Sequence, residues 1–227
     1  MLKRLFDIVL SSAGLALSLP VWGVIAIAIK LEDGGPVFYR QPRVGKACKE
    51  FLSLKFRSMV VDSGEKWGAV PASESDPRIT QVGRILRATA MDELPQLWNI
   101  FRGDMSFVGP RPEWTELVKK FREEVPGFDR RHVVTPGLTG LAQVYGHSEL
   151  SRRKKLRYDL LYIKRRSFWL DVQLVVASFW VTFRGKWEVR TAKVLRLRKW
   201  RRGRWAGASS PRKPPRSADY SPLESGE

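Results

Sequence analysis

The chain has 227 residues, 43% of them hydrophobic, which is enough to bury one sizeable core and too little for two. Its formal net charge is +18, and residues 151–205 carry eighteen Lys/Arg against three acidic residues, +15 of that total, so the basic surface is C-terminal and suits nucleic acid, anionic headgroups or phosphorylated substrates. Cys48 is the single cysteine, which excludes an intrachain disulfide, fits a reducing compartment and leaves no cysteine-based metal cluster to expect.

Residues 8–29 carry no charge and are long enough to cross a bilayer core of roughly 30 Å. Lys3 and Arg4 precede this run, Lys30 follows it, and Pro20 sits in its middle, where it removes a helical hydrogen bond and bends the segment. Basic residues on both flanks give the orientation rule no direction. The first reading is a re-entrant helix with both ends on the cytoplasmic face. A straight span is second, a cleaved signal peptide third and a buried soluble helix last.

From Gly34 to Met59 short β-type runs flank Arg43–Glu50, which predicts a β-hairpin. Residues 62–77 read as a polar surface loop. Helical spacing resumes at Arg84, and again at Leu94, Leu97, Trp98 and Phe101. Residues 113–125 read as helix, 136–146 as a Gly-rich loop and 151–167 as a basic helix. The apolar run 172–183 is too short to span a bilayer and suits packing or an interfacial position. Residues 186–206 interleave Trp with Lys/Arg, as in a helix lying on an anionic membrane surface. The tail, 207–227, reads as disordered.

The chemistry centres on Asp92-Glu93-Leu94-Pro95-Gln96. Pro95 fits only the first turn of a helix, which puts Asp92 near the N-cap, where free amides stabilise a carboxylate or a phosphate. An Asp-Glu pair at a helix start is ordinarily just a cap. Here Lys55, Arg57, Arg78, Arg84, Arg87 and Arg111 surround it in sequence, and arginine's planar fork suits phosphate oxygens. His132 and His147 are the only histidines, so paired-imidazole chemistry is not expected.

An ordered series of motifs resembles the bacterial sugar transferases that act as polyprenyl-phosphate sugar-1-phosphate transferases. It runs through KRLFD (3–7), GPVFYRQPRVG (35–45), KFRSM (55–59), DPRITQVGRILR (76–87), DELPQLWNIFRGDMSFVGPRP (92–112), PGLTGLAQVYG (136–146) and YDLLYIKRRSFWLD (158–171). The resemblance implies a monotopic α+β protein: a re-entrant helix over 1–33, a mostly helical catalytic domain with a small β-hairpin over 34–185, and amphipathic interfacial helices. It implies a magnesium-dependent two-step transfer on the cytoplasmic face of the bacterial inner membrane. Asp92 would attack the sugar-bearing phosphate of a UDP-sugar and release UMP, after which a polyprenyl phosphate takes the group. Glu93 would hold Mg2+, and Lys55, Arg57, Arg87, Gln96, Arg111 and Asp159 would bind substrate. Asp159 is explained equally well by a helix salt bridge to Lys155. The sequence departs from the family in having Leu19, not serine, before Pro20, and in the region after Arg184. The alternatives are a membrane-attached nucleic-acid-binding protein using the basic C-terminal region, and an inactive scaffold of a polysaccharide assembly complex. Nucleic acid is not an expected partner, and a homodimer is compatible with the apolar faces.

Overall fold

Helix α1, Leu2–Asp33, gathers the whole uncharged run into one element whose helical assignment is uninterrupted through Pro20. Pro20 deprives the Ala16 carbonyl of its helical donor, and the Ser18 hydroxyl donates to the adjacent Leu15 carbonyl at 3.3 Å. Gly34 closes the helix in the left-handed region at φ 70, where a residue without Cβ is unstrained. The computed structural model describes residues 1–61, 76–146 and 150–183. These belong to one unit, Met1–Thr191; the other, Ala192–Glu227, lies outside the described residues, as do residues 62–75 of the expected surface loop, the expected basic segment 186–206, the tail 207–227 and His147.

The motif KRLFD has a structural purpose that its sequence does not reveal. Lys3 donates to Asp171 at 2.7 Å and to the Val108 carbonyl at 3.0 Å. Arg4 donates to the Ile100 and Phe101 carbonyls at 2.7 and 2.6 Å. Buried Asp7 accepts from Ser106 Oγ and the Phe107 amide. Lys3 and Arg4, read as flanking charges of a membrane segment, are therefore engaged by the protein body.

Strands β1, Phe38–Val44, and β2, Glu50–Phe56, form the expected antiparallel hairpin, with Phe38 opposite Phe56 and Val44 opposite Glu50. A tight turn, Lys46–Cys48, with Ala47 and Cys48 both in the left-handed region, joins them. Helix α2, Gln81–Ala88, starts at Thr80, whose side chain accepts from the Gly83 amide. Glu32, at the end of α1, accepts from the Gln81 and Val82 amides at 2.6 and 3.2 Å, so α1 fixes where α2 begins.

A 3-10 turn, Met91–Glu93, precedes α3, Gln96–Arg102. Asp92, expected near the N-cap of this helix, lies in the separate 3-10 turn before it. Pro95 takes the N-cap, without a side-chain bond, because its missing N–H costs nothing there. The apolar stripe of α3 is divided: Leu97 is buried, whereas Trp98 and Phe101 stack on each other and stay exposed.

The stretch 136–146 is not a loop. It contains β4, Gly137–Thr139, paired in parallel with β3, Ser106–Val108, followed by α5, Leu141–Tyr145. Its glycines permit backbones to meet: a Cβ on Gly137 would stand 2.0 Å from the Gly109 nitrogen. Gly137→Ala is therefore expected to cost about 2 kcal/mol or more, the scale of overpacking a tight contact, measured as a lowered midpoint in chemical denaturation.

Helix α4, Thr115–Glu124, a 3-10 segment, Phe128–Val133, and α6, Arg152–Arg165, surround a core of Val44, Val118, Phe121, Val125, Phe128 and Leu156. Helix α7, Phe168–Phe183, buries Leu174, Val175 and Ala177 and exposes Trp169, Val176, Phe179 and Trp180. The main core joins Leu97, Ile100, Phe107, Val108, Tyr162 and Leu174, with Phe6 and Leu10 of α1 against it. Farther along α1, Ile25 and Ile29 pack on Phe56 and Leu86. The fold is mostly helical with a small antiparallel sheet, as expected; the parallel pair β3–β4 is additional.

Candidate active site

Three chain segments converge on the acidic pair. Strand β2 delivers Lys55, the 3-10 turn entered through left-handed Ala90 (φ 56) delivers Asp92 and Glu93, and the segment after β3 delivers Arg111. Glu93 Oε1 accepts from Lys55 Nζ and from an Arg111 guanidinium nitrogen, both at 2.6 Å. Lys55 Nζ is also 3.6 Å from Asp92 Oδ2. Asp92 is only 8% exposed.

The two neighbouring carboxyls are driven in opposite directions. Burial pushes Asp92 above its ordinary value, and the adjacent Glu93 charge adds to this against the pull of Lys55. Burial acts upward on Glu93 too, but Arg111 and Lys55 outweigh it and hold Glu93 far below the carboxylate range. The pair thus contains one permanently charged anchor and one carboxyl of increased basicity.

The other expected site residues take varied positions. Exposed Arg87, at the end of α2, contributes positive potential at Asp92 without a hydrogen bond among the described residues. Gln96 is buried at the start of α3, and its Nε2 has no partner among the described residues. Arg57 is drawn away from the pair by Asp33 at the end of α1, and Gly35 leaves it room. Arg78 is bound to Asp76 at 2.9 and 2.6 Å.

Asp159 does not pair with Lys155. Its carboxylate accepts from Arg131 Nε at 2.9 Å, and the same guanidinium donates to the Arg111 carbonyl at 2.7 Å. Arg131 and Asp159 are both buried, so together they set the backbone that carries Arg111. Arg43 supports the next residue: it donates to the Pro112 carbonyl and to Gln41 at 2.8 Å. Burial and the Arg111 charge lower the Arg43 guanidinium to about 10. Sequence reasoning missed both arginines in these roles. Arg43 lies within a quoted motif, but Arg131 has no sequence signal, because its partner is 28 residues away.

Arg131→Met leaves the Asp159 carboxylate buried without its cation, which is expected to cost about 3–5 kcal/mol. A denaturation midpoint checks this, and Asp159→Leu added to Arg131→Met is expected to recover most of the loss.

A UDP-N-acetylgalactosamine-undecaprenyl-phosphate N-acetylgalactosaminephosphotransferase of Aeromonas hydrophila is 44% identical over 177 residues, which is 77% of this chain and 42% of the relative. A UDP-glucose:undecaprenyl-phosphate glucose-1-phosphate transferase of Escherichia coli is 42% identical over 82% of this chain and 40% of the relative. A UDP-galactose-lipid carrier transferase of Erwinia amylovora is 38% identical over 81% and 40%, respectively. The chain thus spans about two fifths of the length of these curated relatives. A family model described as bacterial sugar transferase matches residues 1–185, the stretch that contains α1, both sheets and the Asp92–Glu93 turn, and the chain belongs to that family.

Proposed function

We propose that the protein transfers a sugar-1-phosphate from a UDP-sugar to undecaprenyl phosphate, releasing UMP, through a phosphosugar carried on Asp92. The observation that carries this reading is the opposed tuning of two adjacent carboxyls beside Lys55 and Arg111. A carboxylate of increased basicity is a better nucleophile, and one kept out of water can form an acyl phosphate. In the first step an Asp92 oxygen bonds to the sugar-bearing phosphorus as its bond to the bridging oxygen breaks; UMP leaves with that electron pair. In the second an oxygen of the lipid phosphate takes the same phosphorus and frees Asp92. Arg111, Lys55 and exposed Arg87 supply the positive potential that phosphoryl transfer requires.

The family implies magnesium, and the residues fit it. Among the described residues both side-chain hydrogen bonds of Glu93 fall on Oε1, which leaves Oε2 as a hard oxygen donor of the kind that Mg2+ prefers. When bound, the ion would neutralise diphosphate oxygens. The chain's own residues position the reacting groups.

Membrane attachment is supported by α1, which among the described residues is the helix long and apolar enough to cross a bilayer. At about 1.5 Å per residue its length is ~48 Å. One body engages both of its ends: Lys3, Arg4 and Asp7 at the start, and Glu32 and Asp33 at the finish. Ends held by one globule lie on one side of a bilayer more readily than on two, which favours the re-entrant geometry; a UDP-sugar donor would make that side the cytoplasmic face of the inner membrane. The exposed Trp169, Phe179 and Trp180 of α7 suit the interface.

The three relatives are named for different sugars, so the donor has to be measured. A screen of UDP-sugars against undecaprenyl phosphate, read as UMP release, is expected to give one strongly preferred donor. No release from any of them, with the protein folded and magnesium present, would overturn the assignment.

A further inference from the structure

Away from the carboxylate pair, the turn between β1 and β2 meets the 3-10 segment Phe128–Val133. Cys48 ends that turn in a left-handed conformation, φ 58, with its residue exposed. His132 and Asp129 stand three residues apart on the facing segment. His132 Nδ1 is 3.6 Å from Cys48 Sγ and 3.3 Å from Asp129 Oδ1, and the three ligand atoms all lie within 4.8 Å of one another.

The two spacings that meet at His132 Nδ1 fit a coordination sphere. A tetrahedral zinc ion with Zn–N and Zn–O near 2.0 Å and Zn–S near 2.3 Å sets nitrogen and oxygen about 3.3 Å apart, and nitrogen and sulfur about 3.5 Å apart. Both observed edges match. We propose that Cys48, Asp129 and His132 form a binding site for zinc, with the fourth position open to water or an external ligand.

The donor set selects the metal. A thiolate, an imidazole and one carboxylate suit Zn2+, whereas Mg2+ prefers oxygen donors, so this site is chemically distinct from the one at Glu93. Thiolate and carboxylate together balance the charge of the ion. The surroundings hold the ligands in place. His132, with its side chain 6% exposed, packs edge-on against Phe128 at 5.9 Å. Arg122 Nε donates to both Asp129 oxygens at 2.9 Å, orienting a carboxylate that is itself 47% exposed, so ions can enter. Such outer hydrogen bonds are the usual support of a ligating carboxylate, and among the described residues outside the cluster His132 is held by packing alone, its Nε2 being buried without a partner.

A metal here would tie the hairpin that carries Lys55 to the segment that carries Arg131, which supports Arg111. A lone cysteine 84 residues from its histidine gives no such signal in sequence.

The test uses the full chain in detergent, stripped with EDTA, kept reduced with a phosphine and titrated with Co2+. One equivalent is expected to produce a thiolate-to-cobalt charge-transfer band with intense tetrahedral d–d bands, and Zn2+ is expected to displace it. Cys48→Ala, a surface change, is expected to abolish the band and the rise in melting temperature that Zn2+ gives the unsubstituted protein. Asp129→Asn and His132→Gln are expected to weaken zinc by about tenfold or more, at least the loss seen when a supporting residue is removed. A folded, reduced protein without the cobalt band, or equal zinc affinity in Cys48→Ala, would overturn the site and leave the cluster as a hydrogen-bonded contact only.

Discussion

Asp92→Asn is expected to reduce UMP release from the preferred UDP-sugar by at least about a thousandfold, the scale of loss when an attacking group is removed, and at the same time to raise the melting temperature at neutral pH. Both effects have one origin. Asp92 is almost fully buried, and burial raises its pKa above 3.8. A folded-state value above the unfolded one means that ionisation disfavours the native state: stability is greatest below the unfolded value and declines as pH rises through the folded value. Asparagine has the same shape and never ionises, so it removes this cost. In magnesium-free buffer the melting advantage of Asp92→Asn should be present at pH 7 and vanish on acidification below about pH 4, where both forms are neutral. Equal melting temperatures at pH 7 would contradict the electrostatic account of the site, whatever the activity.

Glu93→Ala is expected to lower kcat about a hundredfold or more, as removal of one preorganised electrostatic group does, and to raise the magnesium concentration needed for half-maximal rate about tenfold. Glu93 holds Lys55 and Arg111 on one oxygen at 2.6 Å. Without it two cations face each other across the cavity left by the carboxylate. The pH signature is opposite to that of Asp92. The folded pKa of Glu93 is depressed below its ordinary 4.5, so its contribution to stability is present above that value and is lost as pH falls toward the folded one. The unsubstituted protein should lose melting temperature on acidification below pH 4.5, and Glu93→Ala should lose less. Magnesium titrations that overlay for the two proteins would remove Glu93 as the ion's ligand.

Much of the fold was legible because it depends on local pattern. The uncharged run predicts α1, alternation around a Gly-containing turn predicts the hairpin, helical spacing predicts α2 and α3, and the basic run 151–167 predicts α6. What was not legible depends on distant partners. PGLTG reads as loop because glycine usually marks turns, yet Gly137 is there so that two backbones can approach. Asp92 reads as lying near a helix N-cap, but Pro95 takes the cap and the carboxyl instead has Lys55 at 3.6 Å, with Arg87 and Arg111 adding positive potential. Among six basic residues in the motifs, nothing in sequence separates Lys55 and Arg111, which contact Glu93, from Arg57, which Asp33 captures just beyond the end of β2. Arg131 and the contact of Cys48 with His132 were opaque for the same reason: each partner lies dozens of residues away.

The most direct test is to incubate the protein with the preferred UDP-sugar, labelled at the sugar-bearing phosphorus, with magnesium and no lipid acceptor, and then to digest the quenched protein. Label on the peptide that contains Asp92, formed together with a burst of UMP matching the enzyme added, is the predicted result. UMP formed only once polyprenyl phosphate is supplied, with no label on the protein at any time, would show direct transfer between substrates and contradict a phosphosugar on Asp92.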